Sequence, residues 1–177
     1  MSDDDALAEA VHDTGIRRLQ AAYADAVNRR AWAEVAALFS DDAPVVLDTR
    51  AGDPLRFEGG AAIAAFIEGA VARFALFEFV VLNAHVTFPD GPRAGTATCR
   101  LFMCELRTDR DDGRFSVAYG LYHDRYGLDA AGRWRFAERR YHSLARTAAG
   151  PPGSPTAGLD VFPLPTAPGI DVPPWPA

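Results

Sequence analysis

Residues 115–145 read FSVAYGLYHDRYGLDAAGRWRFAERRYHSLA. Two long runs of alternating apolar and polar residues flank Asp129-Ala-Ala-Gly132, a turn signal, so the spacing predicts a long antiparallel hairpin. With Asp129 to Gly132 as the loop, Leu128 faces Arg133. That register sets Tyr122 opposite Arg139, Gly120 opposite Tyr141, Ala118 opposite Ser143 and Asp124 opposite Ala137. Strand side chains alternate with period two, so these eight share one face. The other face carries Tyr119, Leu121, His123, Phe136, Glu138 and His142, with His123 opposite Glu138. Two phenols, a guanidinium, a carboxylate and several small residues on one face read as a pocket wall. A solvated sheet face carrying ordinary polar residues is the alternative.

Working outward, Phe77–Phe88 and about Gly95–Arg107 are two further long runs, broken by Pro89-Asp-Gly-Pro92 and Asp109-Arg-Asp-Asp-Gly113. Short turn-rich breaks between consecutive strands imply a meander. In the second run Cys99, Leu101 and Met103 alternate onto one face, and Arg100, Phe102 and Cys104 onto the other. The two cysteines therefore point apart and cannot bridge. Upstream the period becomes 3.6. Ile16, Leu19, Tyr23 and Ala26 predict a helix over about 13–29, Trp32 to Phe39 a short second one, and Gly60 to Phe74 a third. Between the last two, Val45–Asp48 reads as a short strand. The fold class is α+β, with three N-terminal helices packed on one face of a curved antiparallel sheet.

Composition narrows the function. The 177 residues are 49% apolar and 24% charged, the balance of one soluble globular domain. All 18 basic residues are arginine, which removes lysine Schiff-base chemistry and a P-loop lysine. A net charge of −6 argues against a nucleic-acid partner, and no apolar stretch approaches the ~20 residues of a membrane span. Two cysteines and four scattered histidines give no closed metal site, so neither metal nor cofactor is expected. The organisation reads as an acidic leader over 1–11, a folded domain over 12–149 and a proline-rich arm over 150–177, which holds nine of the 13 prolines. The arm is either a disordered tail or an extended segment packed on its own domain or a neighbour. The acidic start, Met1-Ser-Asp-Asp-Asp5, is unlike a secretory signal, so a cytoplasmic location is expected.

Three stretches carry a family resemblance: Ile16-Arg-Arg-Leu-Gln-Ala-Ala-Tyr23, then Asn28-Arg-Arg-Ala-Trp32 with Leu38-Phe-Ser-Asp-Asp-Ala43, and Gly120-Leu-Tyr-His-Asp-Arg-Tyr126 with Gly132-Arg-Trp-Arg-Phe-Ala-Glu-Arg139. Together they resemble a SnoaL-like domain of the cone-shaped, nuclear-transport-factor-2-like superfamily over about 12–146. The resemblance is nearest to the scytalone dehydratase, hexachlorocyclohexane dehydrochlorinase and bile-acid dehydratase relatives. These eliminate a leaving group from a ring substrate with an Asp-His pair, and the resemblance puts that pair at Asn28 and Phe79. His85 lies six residues beyond and would need another register. The resemblance also implies pocket positions at Tyr23, Val45, Leu47, Cys99, Leu101, Met103 and Arg139, and a homo-oligomer, a trimer before a dimer.

The expected function is binding of a hydrophobic cyclic small molecule, as a cofactor-independent lyase, isomerase or cyclase. Asp124 would shuttle a proton, Tyr122 and Arg139 would hold the developing oxyanion, and Asn28 would orient the substrate. Tyr23, Val45, Leu47, Phe79, Cys99, Leu101, Met103, Tyr141 and Ser143 would line the site. The alternative is a silent ligand carrier, or a structural subunit like the small subunit of a ring-hydroxylating dioxygenase.

Overall fold

The computed structural model describes residues 2–147 and 158–165. Helices α1 (Asp3–Asn28) and α2 (Trp32–Ala37) precede strands β1 (Pro44–Asp48) and β2 (Leu55–Glu58) and helix α3 (Gly59–Val71). Four 14-residue strands follow: β3 (Phe74–Thr87), β4 (Thr96–Asp109), β5 (Phe115–Leu128) and β6 (Trp134–Thr147). A short β7 (Leu159–Val161) pairs with the end of β6. The sheet order is β2-β1-β6-β5-β4-β3. The meander is antiparallel as expected, whereas β1 joins β6 in parallel, Val45 beside Arg139 and Leu47 beside Tyr141. That crossover sets the first strand between β2 and β6 in the curved sheet.

Helix α1 begins ten residues earlier than its apolar periodicity suggests. Ser2 accepts from the Asp5 N–H while the Asp5 carboxylate reaches back, a capping box. Asp3, Asp4 and Asp5 in the first turn suit the positive end of the helix dipole. The acidic leader is thus the first turns of α1. Its buried stripe, Ile16, Leu19, Gln20, Tyr23, Ala26 and Val27, starts later, because only there does the helix meet the core. Of the proline-rich arm, 148–157 and 166–177 lie outside the described residues. The described part returns along β6, where Phe162 N–H donates to the Leu144 carbonyl at 2.8 Å.

The hairpin register differs from the expected one, and the difference is physical. The β5–β6 turn holds one residue more, with Leu128 opposite Trp134, because Asp129 accepts from the backbone N–H groups of Ala131 and Arg133. A bulge then adds Ala137, so Tyr126 faces Phe136 but Asp124 faces Arg139, Tyr122 faces Tyr141 and Gly120 faces Ser143. One extra residue flips a strand, and two restore it. The expected inner face of Tyr122, Asp124, Arg139, Tyr141 and Ser143 therefore persists with new partners. Phe136, expected outside, turns into the core, and Ala137 leaves the face as the bulge. A second irregularity sets Ala118 opposite Arg146 instead of Ser143. His123 lies opposite Arg140 rather than Glu138, its ring 5.5 Å from that of His142. Burial, helped by His142, pushes the His123 pKa down to about 4, so this outer-face ring is neutral.

Gly120 is one of the small residues that give the sheet face its pocket-like character in the sequence. In the structure the space beside it belongs to a neighbour: a Cβ there would collide with the Tyr141 ring and sit 2.9 Å from the Met103 sulfur. Gly120→Ala is expected to destabilise the protein by about 1–3 kcal/mol through overpacking, read as a lower urea midpoint at constant m. An unchanged midpoint would show that the Tyr141 ring can move aside freely.

Candidate active site

A cavity of about 300 Å³ opens between the helices and the inner face of the sheet. Of the residues expected to line it, Tyr23 enters from α1, Val45 and Leu47 from β1 and Phe79 from β3. Tyr122 comes from β5, and Arg139, Tyr141 and Ser143 come from β6. Cys99, Leu101 and Met103 face inward on β4 but belong to the packed core, each about 1% exposed, and do not line the cavity. The Cys99 thiol is pushed up to about 12 by burial, with the Asp124 charge adding.

The deepest feature is a buried ion pair. Arg139 donates from Nε to Asp124 Oδ1 at 2.8 Å and from Nη2 to Oδ2 at 2.7 Å. Tyr126 donates its hydroxyl to the same carboxylate at 2.9 Å, and Gln20 donates to the Tyr126 oxygen at 3.0 Å. The guanidinium carbon lies 4.1 Å from the ring centres of Tyr122 and Phe136 and 4.3 Å from that of Tyr23. Burial disfavours the Arg139 cation, yet Asp124 and the surrounding phenols hold its pKa well above the ordinary arginine value. Its Nη1 has no hydrogen-bond partner among the described residues. Asp124, expected as a proton shuttle, is fully buried behind Arg139 and outside the cavity lining. Both of its oxygens are engaged, so the geometry makes it the anchor of Arg139.

Asn28 is engaged as well. Its side chain accepts from the Phe79 N–H at 2.7 Å and donates to the Phe79 carbonyl at 3.0 Å. The end of α1 is thereby clasped to β3, and Asn28 does not line the cavity as a substrate-orienting group would. His85 is exposed beyond a bulge at Leu82 in β3.

Glu105 and Arg107 were missed in the sequence. They continue the alternation of Cys99, Leu101 and Met103 by two more steps onto the cavity face, so the signal was available. Glu105 stands opposite Phe79 on one side and Ala118 on the other. Its carboxylate is the one acidic group in the lining among the described residues and keeps 22% of its side-chain surface. Burial raises its pKa above the ordinary 4.5, against an opposing pull from Arg107. Tyr122 is held well above 10 by burial, with Tyr23 adding, so it is a protonated donor at neutral pH. Arg73 and Arg146 also line the cavity and carried no pattern in the sequence, because α3 and the second β6 irregularity place them. Among the described residues no cluster of three His, Cys, Asp or Glu could hold a metal ion.

Comparison with known proteins bears on this geometry. The SnoaL-like domain matches over residues 8–140. This chain belongs to the SnoaL-like domain family. Its fold is similar to a scytalone dehydratase-like protein of Novosphingobium aromaticivorans DSM 12444, with a TM-score of 0.69 and 22% identity over 87% of this chain and 99% of the other. The hexachlorocyclohexane dehydrochlorinase LinA-type3 of Novosphingobium barchaimii LL02 is similar at TM-score 0.68 and 19% identity, over 87% and 99%. A conserved protein of Planctomyces limnophilus DSM 3776 follows at 0.64 and 17%, over 76% and 99%. At these identities the likeness is one of fold. No curated protein matches the chain. Among the described residues, no helix of this SnoaL-like domain is long and apolar enough to cross a membrane.

Two stability experiments follow from the site. Asp124→Ala leaves a buried cation unpaired and is expected to cost about 3–5 kcal/mol in urea denaturation, with Asp124→Leu/Arg139→Met recovering much of it. A loss below about 1 kcal/mol would mean that water or another acceptor replaces the carboxylate. For Glu105 the sign is that of a raised acid: the folded state holds the proton more tightly than the unfolded chain. Its contribution is complete below pH 4.5 and is lost as pH rises through the folded pKa. Glu105→Gln is therefore expected to gain stability relative to the wild type between pH 5 and 8, in paired denaturation curves. Parallel pH profiles would refute the raised pKa.

Proposed function

We propose that this SnoaL-like domain binds an apolar cyclic small molecule in its cone and acts on it by proton transfer, as a cofactor-independent lyase, isomerase or cyclase of natural-product or xenobiotic metabolism. The observation that carries this reading is Glu105, a carboxylate of raised pKa in the cavity wall, beside the protonated phenol of Tyr122. A general base needs a pKa brought toward the working pH and access to the substrate, and Glu105 has both. It removes a proton from substrate carbon, while Tyr122 donates to the oxygen on which charge develops, in the field of the buried Arg139 cation. Asp124 and Tyr126 position Arg139, and Asn28 positions β3. The names of the similar structures, a dehydratase and a dehydrochlorinase, support elimination as the reaction type.

A silent carrier or structural subunit is the second reading. The clasp between Asn28 and the Phe79 backbone favours it, since it occupies the positions at which the family resemblance implies an Asp-His pair. In the enzyme reading the protein acts as a homo-oligomer, a trimer before a dimer.

Native mass spectrometry of the protein purified from its own organism tests both readings. The expected result is a homo-oligomer retaining an apolar molecule, which is then turned over in a reaction that Glu105→Gln slows at least about hundredfold without loss of the retained ligand. Full turnover by Glu105→Gln removes that residue from the mechanism. A retained molecule that stays unchanged, or a stoichiometric complex with a larger chain, replaces the enzyme reading with the second one.

A further inference from the structure

Among the described residues, four arginines line the cavity against one carboxylate. Two of them are answered. Arg139 is paired with Asp124, and Arg73 donates from Nε and Nη2 to Asp109 at 3.0 and 2.5 Å. The other two are answered only in part. Arg107 has Glu105 at 3.5 Å and lies 5.5 Å from the centre of the Phe74 ring, but its Nε is buried with no hydrogen-bond partner among the described residues. Arg146 donates to the Thr49 carbonyl at 3.3 Å and lies 5.3 Å from the centre of the Phe162 ring, but no carboxylate among the described residues comes within ion-pair distance.

Both cations line the cavity with Tyr141, and Ala118 stands between Glu105 on β4 and Arg146 on β6. The Tyr141 phenol is pushed up to about 12 by burial first and Glu105 second, and the charges of Arg107 and Arg146 both pull it down. Glu105 is a poor counter-ion for two guanidinium groups, because burial favours its neutral form. This excess of positive charge sits in a chain of net charge −6, against the sign of the whole molecule. An unanswered guanidinium beside an apolar cavity is costly to desolvate unless an anion completes it. The rest of the lining, including Val45, Leu47, Ile63, Phe66 and Phe77, suits a hydrocarbon ring body.

We propose that the ligand is an apolar ring compound bearing a single oxyanion, a carboxylate or sulfonate, held at the Tyr141 end of the cavity by Arg107 and Arg146. The inference rests on the cavity-binding reading above and narrows its substrate class. Arginine matches such an anion in shape as well as charge, donating two parallel hydrogen bonds to it. Ring compounds without the anion would fill the apolar part and leave both cations bare.

A matched pair of fluorescent probes tests this: 8-anilinonaphthalene-1-sulfonate and its uncharged counterpart N-phenyl-1-naphthylamine, titrated into the full chain. The sulfonate is expected to bind at least about tenfold tighter, as charge-assisted hydrogen bonds would give. Arg107→Gln/Arg146→Gln should abolish that ratio and leave the affinity for the neutral probe unchanged. Raising ionic strength on the wild type should shrink the ratio too, which reads the same contact if the double variant does not fold. Ala118→Phe, filling the space between Glu105 and Arg146, should displace both probes and so locate them in the cavity. Equal affinities, or a ratio indifferent to salt and to the arginine substitutions, would overturn the oxyanion proposal while the cavity reading stood. A neutral probe that does not bind, or that ignores Ala118→Phe, would overturn the cavity reading and this inference with it.

Discussion

A guanidinium out of reach of water constrains the architecture around it. Arg139 is 1% exposed, and the interior can hold it only because Asp124 takes two of its nitrogens and three aromatic rings surround it. Those partners come from three elements: Asp124 and Tyr122 from β5, Phe136 from β6 itself, and Tyr23 from α1. The bidentate geometry requires Arg139 directly opposite Asp124, which only the bulged hairpin provides. Tyr126 and Gln20 extend the network back to α1, so the helix and the hairpin are held in register by one polar chain. The ion pair specifies the arrangement more than it stabilises it, since two apolar residues of similar volume would avoid the desolvation cost.

The same constraint divides labour within the cavity. Residues behind Arg139 are saturated: Asp124 has no free oxygen, and Asn28 has given its amide to the Phe79 backbone. Residues in front of it are not. Glu105, Tyr122 and Tyr141 face the cavity, and Arg107 brings to it a buried Nε that no described residue satisfies. A polar group left unsatisfied in an apolar wall is a costly feature for a fold to keep, which is why the chemistry is assigned to that layer.

Much of the fold was legible in advance. The three helices, the four long strands and the face shared by Tyr122, Arg139, Tyr141 and Ser143 follow from periodicity, because alternation and 3.6-residue spacing are local properties. Glu105 and Arg107 were equally legible, two and four residues beyond Met103 on the same face. Asp124 was placed on the right face, but what it does there depends on its partner across the hairpin.

What the sequence by itself determined is therefore the set of elements and the polar inventory of the inner face. The tertiary structure alone decided which of those groups spend their hydrogen bonds on each other. One extra turn residue and the bulge at Ala137 moved Arg139 from Tyr122 to Asp124, and the parallel pairing of β1 with β6 closed the wall beside Tyr141. Neither is visible locally, because a bulge is chosen by the contacts it permits across the sheet. A parallel pairing, likewise, is made by residues some ninety positions apart.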